Sequence, residues 1–319
     1  MILLVGCGND EEITNNESDL AASEINNEAV NSKTEDLLVN VPDSIKEQVA
    51  TQLNKTQATI MASDLGKIKS LSIGENVDIQ SIISLTEKLE SLNVHVPVAD
   101  WSFLQDAINM KELTIQQNDL TDLTFIRELR NLETLSIYES NLKSLNGIET
   151  LTNLQNLIIS QNNVNDLSPL QSLSKLSSLH IADNEIVSLS PIQNHFKLKA
   201  LAIDRNPIQD YSLLASLQNL TYLSMVESNV ATLDFISDMH HLQRLLINGT
   251  QISDLSALAD KRHLQYLDIR DTKVVTVKPL LPLDKLQFLI LTKNQFKIGR
   301  YSKIKKILLF QKTLYLHNK

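Results

Sequence analysis

The sequence repeats itself every 22 residues, nine times in succession without an insertion. The unit is L-x-x-L-x-L-x-x-N-x-L. It reads Met110, Leu113, Ile115, Asn118, Leu120, then Leu132, Leu135, Ile137, Ser140, Leu142, and runs on to Leu286, Leu289, Leu291, Asn294, Phe296. The polar slot holds Asn118, Asn162, Asn184, Asn206 and Asn294, with Ser140, Ser228, Thr250 and Thr272 in the remaining repeats. A fixed period of this length describes an array of like coils, each packed on its neighbours, and not one globular core.

The spacing has a physical cause. The L-x-L pair alternates with period two, so each repeat contributes one short strand whose apolar side chains face one way. No single coil can bury its leucines, but stacked coils bury them as one ladder. Leaving the strand exposes backbone N–H and C=O groups that need partners. A short amide or hydroxyl bonds such groups locally, which suits Asn, Ser or Thr to the slot after the strand. A second apolar set follows, as in Leu167-Ser168-Pro169-Leu170 and Leu255-Ser256-Ala257-Leu258. The period leaves too few residues for a long helix, so a turn or a single 3₁₀ turn is expected there. Pro169, Pro191 and Pro279 in that arc agree.

These residues resemble the leucine-rich-repeat family, in the 22-residue class of bacterial internalins, over roughly 200 of 319 residues. The resemblance implies an α/β repeat fold, a curved solenoid with a parallel concave β-sheet and a helical N-terminal cap. Residues 41–109 fit the cap and irregular first coils. Ser44, with Glu47 three residues on, suggests a capping box, and Ile45, Val49 and Leu53 follow at helical spacing. Leu71 and Ile73 suggest a degenerate first strand. Residues 74–109 read as an irregular pair of coils, with Leu89, Leu92 and Val94 in phase and Pro97 in the polar slot. Residues 110–297 are the nine regular repeats. Beyond Phe296 the motif fails at Gln311 and Thr313. Residues 298–319 form a basic tail, with Ile304 to Phe310 fitting a terminal cap strand or helix, or else a truncated or frameshifted end.

In this family the residues between the motif leucines line the concave face, which for nine strands about 4.8 Å apart is roughly 40 Å long. That is long enough for a protein partner. The expected partner-binding residues are Tyr138, Ile158, Tyr222, Val226, Arg244, Leu246, Tyr266, Arg270, Phe288 and Ile290. Most fall on repeats six to nine, where aromatics and Arg concentrate, the residue types that dominate interface energetics. Ser178, Ala182, Ala200 and Ala202 make a trough beside them. The competing reading covers Phe288 and Ile290 with the C-terminal segment as cap packing.

The N-terminus adds a location. Leu4-Val5-Gly6-Cys7 resembles a bacterial lipobox, in which Cys7 is lipidated after cleavage. The apolar stretch before it is too short for a signal peptide, so the true start is expected upstream. Gly8 to Asn40 holds nine acidic residues and one Lys, a disordered tether in composition. A membrane-anchored surface lipoprotein follows from the pair of features. No LPxTG-type sorting signal stands near the C-terminus, so covalent wall attachment is not expected.

Net charge is −9, and residues 1–292 carry 21 Lys and Arg against 38 Asp and Glu. So acidic a body is a poor partner for nucleic acid. His241 and His263 share a phase on adjacent coils, but no carboxylate or thiol joins them, and a metal site is not expected. Asp166, Asp210 and Asp254 share another phase and read as turn caps. His180 sits near Asp183 and Asp204 and reads as a surface residue. No phosphate loop, zinc motif or nucleophile elbow is present, and seven glycines leave little room for one. The expectation is therefore a non-catalytic, monomeric binding protein without cofactor, whose ligand is a protein or glycan on the concave face. An intracellular regulatory scaffold is the alternative the same family allows.

Overall fold

The computed structural model describes residues 41–292 and 294. Its centre is one parallel sheet of eleven strands in sequence order. β1 (Ser70–Ile73) and β2 (Ser91–Val94) precede the regular repeats. β3 (Glu112–Gln116), β4 (Thr134–Tyr138), β5 (Asn156–Ile158), β6 (Ser178–His180) and β7 (Ala200–Ala202) follow. β8 (Tyr222–Ser224), β9 (Arg244–Leu246), β10 (Tyr266–Asp268) and β11 (Phe288–Ile290) complete the sheet. Register explains why the first coils escape the motif. Ser70 pairs with Ser91 and Ser91 with Glu112, steps of 21 residues, whereas Glu112 pairs with Thr134, a step of 22.

Each strand buries its motif residues completely; Leu113, Leu135, Leu157 and Leu179 are all 0 % exposed. Short 3₁₀ turns carry the return arc, including Ser168–Leu170, Ser190–Ile192 and Lys278–Leu280 with their prolines near the start. Proline costs nothing at that position, because its missing N–H has no partner there anyway. The aspartates in phase cap these turns: Asp166, Asp210 and Asp254 Oδ1 accept the N–H of Ser168, Ser212 and Ser256, each at 2.8 Å.

The polar slot does more than close its own turn. Asn184 Nδ2 donates to Ile181 O (3.2 Å) and Ala182 O (3.1 Å) in its own coil, and to Ile159 O (2.8 Å) in the coil before. Its Oδ1 accepts the Val164 N–H at 3.0 Å. Asn206 repeats the pattern with Ile181 O and Ile186 N–H. Ser228 and Thr250 donate within their own coils, to Met225 O (2.8 Å) and Ile247 O (2.7 Å). Where Pro97 leaves the slot without an amide, Asn118 reaches back to Val96 O (3.1 Å) and the Val98 N–H (2.8 Å).

The N-terminal cap is built from α1 (Asp43–Leu53), α2 (Ala62–Leu65) and α3 (Ile79–Ile83). The capping box expected at Ser44 and Glu47 does not form. The helix begins two residues earlier, after Pro42, and has no side-chain cap; Ser44 Oγ donates instead to Glu75 Oε1. Pro42, with φ −56°, sets the chain direction, and Ile45 and Val49 go into the core. Leu53, the third residue at helical spacing, is only partly buried. The cap also solves the open edge of β1. Gln48 exchanges two 2.8 Å bonds with the backbone of Ser72, and Gln52 bonds Ser70 O at 2.7 Å and its N–H at 3.2 Å. Two amides one helical turn apart thus replace a missing strand, which blocks edge pairing. Beneath them Asp64, 0 % exposed, holds Lys55 at 2.7 Å and Lys67 at 2.8 Å.

Candidate functional site on the concave face

Repeats six to nine carry a ladder of planar groups across β8 to β11. The Arg244 guanidinium lies 5.8 Å from the Tyr222 ring centre and 5.0 Å from that of Tyr266. Tyr266 and Phe288 follow at 5.9 Å, tilted by 37°. The register makes this unavoidable, since Tyr222, Arg244, Tyr266 and Phe288 are direct neighbours on consecutive parallel strands. A cation held between two ring faces is attracted by both quadrupoles. It is also fixed in orientation, so little side-chain entropy remains to be lost on binding. Arg244 stays exposed and Phe288 is 40 % exposed, whereas Tyr222 and Tyr266 are half-buried at the ladder's sides.

His180 extends the ladder, a role that its sequence context did not suggest. Its ring stacks on Tyr222 at 6.0 Å and 8°, although the two belong to β6 and β8. The intervening β7 presents only Ala200 and Ala202, so the rings meet above it. The expected trough is therefore partly roofed, and Ala202 is only 4 % exposed. Burial lowers the His180 pKa against the opposing pull of Asp204, which keeps the imidazole neutral near pH 7. Burial likewise raises the Tyr222 pKa.

Not every residue between the motif leucines reaches solvent. Ser136, Ser224 and Asp268 are 7 %, 1 % and 1 % exposed. Concave curvature crowds neighbouring side chains over them. Asp268 is covered by Arg270, whose Nη2 and Nε donate to its carboxylate at 2.6 Å and 2.9 Å. The expected contact residue Arg270 therefore spends its fork within the protein and offers its outer surface only. Asp204 is similarly engaged, accepting the Val226 N–H at 2.6 Å and the Ser224 hydroxyl. Leu246, Val226 and Ile290 are half-exposed beside the ladder. Ile158, half-exposed, pairs in register with His180 on the next strand. Tyr138 stands apart on β4, four strands from Tyr222, and belongs to no ring pair of the ladder. Cys7 and the tether lie outside the described residues. So does most of the C-terminal segment offered as cover for Phe288 and Ile290.

The His241 and His263 rings stand 6.4 Å apart, and Lys285 Nζ lies 3.4 Å from His263 Nδ1. Among the described residues no three His, Cys, Asp or Glu side chains converge on a point where a metal could sit. No described helix is long and apolar enough to cross a membrane.

No family model and no curated sequence matches the chain. Solved structures do. A plant peptide hormone receptor (RGFR1) in complex with RGF2 superposes with a TM-score of 0.55 at 19 % identity, over 72 % of this chain and 38 % of that one. The functional domain of InlJ from Listeria monocytogenes gives 0.57 at 16 %, over 78 % and 68 %. Both share the fold alone. An internalin (InlF) from Listeria monocytogenes gives 0.69 at 30 %, over 79 % of this chain and 76 % of that one. With the 22-residue register and the helical cap already in place, the chain belongs to the internalin family of leucine-rich-repeat proteins.

Proposed function

We propose that the protein is a non-catalytic binding module that docks a protein partner on the concave face of repeats six to nine. The observation that carries this reading is the ladder Tyr222, Arg244, Tyr266 and Phe288, ordered across four strands and open to solvent along its crest. Aromatic rings bring large area at low entropic cost, and a pre-oriented Arg adds a directed charge. We further infer a place at the outer face of a bacterial cell membrane, held through a lipidated Cys7. The support is the lipobox-like Leu4 to Cys7 and the acidic tether after it.

A photo-crosslinking amino acid at position 246 tests the docking reading in intact cells. One discrete adduct is expected, absent from Tyr222→Ala/Tyr266→Ala protein whose circular dichroism and melting temperature are unchanged. An adduct that persists in the double variant refutes the site. Intact-mass spectrometry of the membrane fraction tests the anchor: cleavage before Cys7 plus acyl chains supports it. An unprocessed soluble chain moves the same face to a cytosolic partner.

A further inference from the structure

A second surface lies on the flank of the solenoid where the chain enters the strands. Its residues come from two phases of the repeat, the position just before the first motif leucine and the position just after it. Along the N-terminal coils this flank is neutralised: Glu90 pairs with both Lys69 (2.8 Å) and Lys111 (2.7 Å). From Lys175 onward the acids disappear from both phases. The first runs Lys175, Lys197, Asn219, His241, His263, Lys285, and the second continues with Ser177, Lys199, Thr221, Gln243, Gln265 and Gln287. Among the described residues no salt bridge reaches Lys175, Lys197, Lys199 or Lys285. Asp183, Glu185, Glu227 and Asp271 of these coils fall in phases after the strand, away from these two phases. A chain that is acidic as a whole thus sets four lysines without a salt bridge along one edge.

That edge has a shape as well as a charge. A shallow groove of about 600 Å³ runs across four coils there, lined by Lys197, Lys199, Asn219, Thr221 and Gln243 among others, with no carboxylate. Phe196, 57 % exposed, stands in its wall. The Asn219 amide is tied to Phe196 O at 2.8 Å, which fixes one rim to the next. Lys175 and the pair Lys197 and Lys199 stand one coil apart, roughly 4.8 Å, and suit a linear polymer crossing the coils. The interleaved amides and hydroxyls suit a partner rich in hydroxyl groups, and an exposed ring face suits the C–H face of a sugar. An acidic peptide uses the cations but leaves the ring and amides without a role. Nucleic acid meets the repulsion of the acidic body at longer range.

We propose that this flank binds an anionic polysaccharide, independently of the concave ladder. The test is calorimetric titration of the full chain with dextran sulfate at physiological ionic strength. Neutral dextran and poly-glutamate serve as comparison ligands, and Lys197→Glu/Lys199→Glu and Phe196→Ala as variants. Dextran sulfate is expected to bind and neutral dextran not to. The double charge reversal should weaken binding more than tenfold, while Lys273→Glu/Lys278→Glu, away from the groove, stays within twofold. Phe196→Ala should weaken dextran sulfate several-fold and leave any poly-glutamate binding unchanged. Absence of dextran sulfate binding overturns the proposal. Binding that survives Lys197→Glu/Lys199→Glu overturns it too, and assigns the polyanion to the basic residues after position 292. Poly-glutamate binding as tight as dextran sulfate makes the flank an acidic-peptide site and overturns the glycan reading. Because Tyr222→Ala/Tyr266→Ala should leave this titration unchanged, its failure and that of the docking reading are separable.

Discussion

Replacing Asn184 by alanine measures what holds one coil to the next. The amide makes four bonds, but they are not equivalent. Its three acceptors keep a second donor when it is removed: Ile159 O retains Asn162 Nδ2 (3.1 Å), Ile181 O retains Asn206 Nδ2 (2.8 Å) and Ala182 O retains the Gln161 N–H (2.9 Å). The Val164 N–H, on a residue 0 % exposed, has no other acceptor among the described residues. Orphaning one buried N–H costs about 2 kcal/mol, and losing three redundant bonds about 1 kcal/mol together, so Asn184→Ala should cost about 3 kcal/mol. Asn184→Ser should recover the intracoil bond, as Ser228 makes it, but not the crossing one, and should cost about 2 kcal/mol. With a urea slope of about 3 kcal/mol/M, the alanine midpoint falls by about 1 M. The assay is equilibrium urea unfolding followed by far-UV circular dichroism. An unchanged midpoint for Asn184→Ala, or equal losses for Ser and Ala, refutes the view that the amide's worth lies in the neighbouring coil.

Three further outcomes are expected. His195 is 5 % exposed; its Nε2 meets Leu170 O at 3.0 Å, its Nδ1 has no partner among the described residues, and burial lowers its pKa. Protonation therefore favours the unfolded chain, and stability should decline as pH falls below about 6.5. His195→Leu should gain about 1 kcal/mol and flatten that decline in acid melts, since Leu170 O keeps the Leu173 N–H. At Asp64, burial raises the pKa but the bonds from Lys55, Lys67 and the Met61 N–H outweigh it, holding the carboxyl well below the usual range. Its stabilisation is present above the unfolded value of about 3.9 and lost as pH falls further, so Asp64→Asn should lower the melting temperature at pH 7 and narrow the gap from wild type near pH 2. Gly147 has φ +107°, and a Cβ there would stand 2.2 Å from Leu123 O. Gly147→Ala should cost about 3 kcal/mol in thermal unfolding, the upper end for a strained backbone position.

The alternation of each L-x-L, repeated at one period, allows only one way to bury its leucines, so strand positions, register and the concave phase follow from the sequence itself. The same periodicity places Tyr222, Arg244, Tyr266 and Phe288 in a row, because side chains 22 residues apart in a parallel array are neighbours. Periodicity cannot show contacts that cross phases or leave the array. His180 reaches Tyr222 over two alanines at an offset of 42 residues, which no single phase contains. Gln48 and Gln52 serve β1 from a helix outside the repeat, and the helix starts where its packing on that strand requires, ahead of the capping pattern at Ser44. Asp268 fits an open slot by phase, yet curvature and Arg270 bury it. Lys261 occupies a leucine position of the outer apolar row and is 1 % exposed, its Nζ held by Ser237 O at 2.6 Å and Asp260 at 2.9 Å. Local pattern determined where each backbone segment lies, because burial of a repeated apolar set is additive along the array. Side-chain pairing was decided only in three dimensions, because it depends on curvature and on which neighbour is small enough to be crossed.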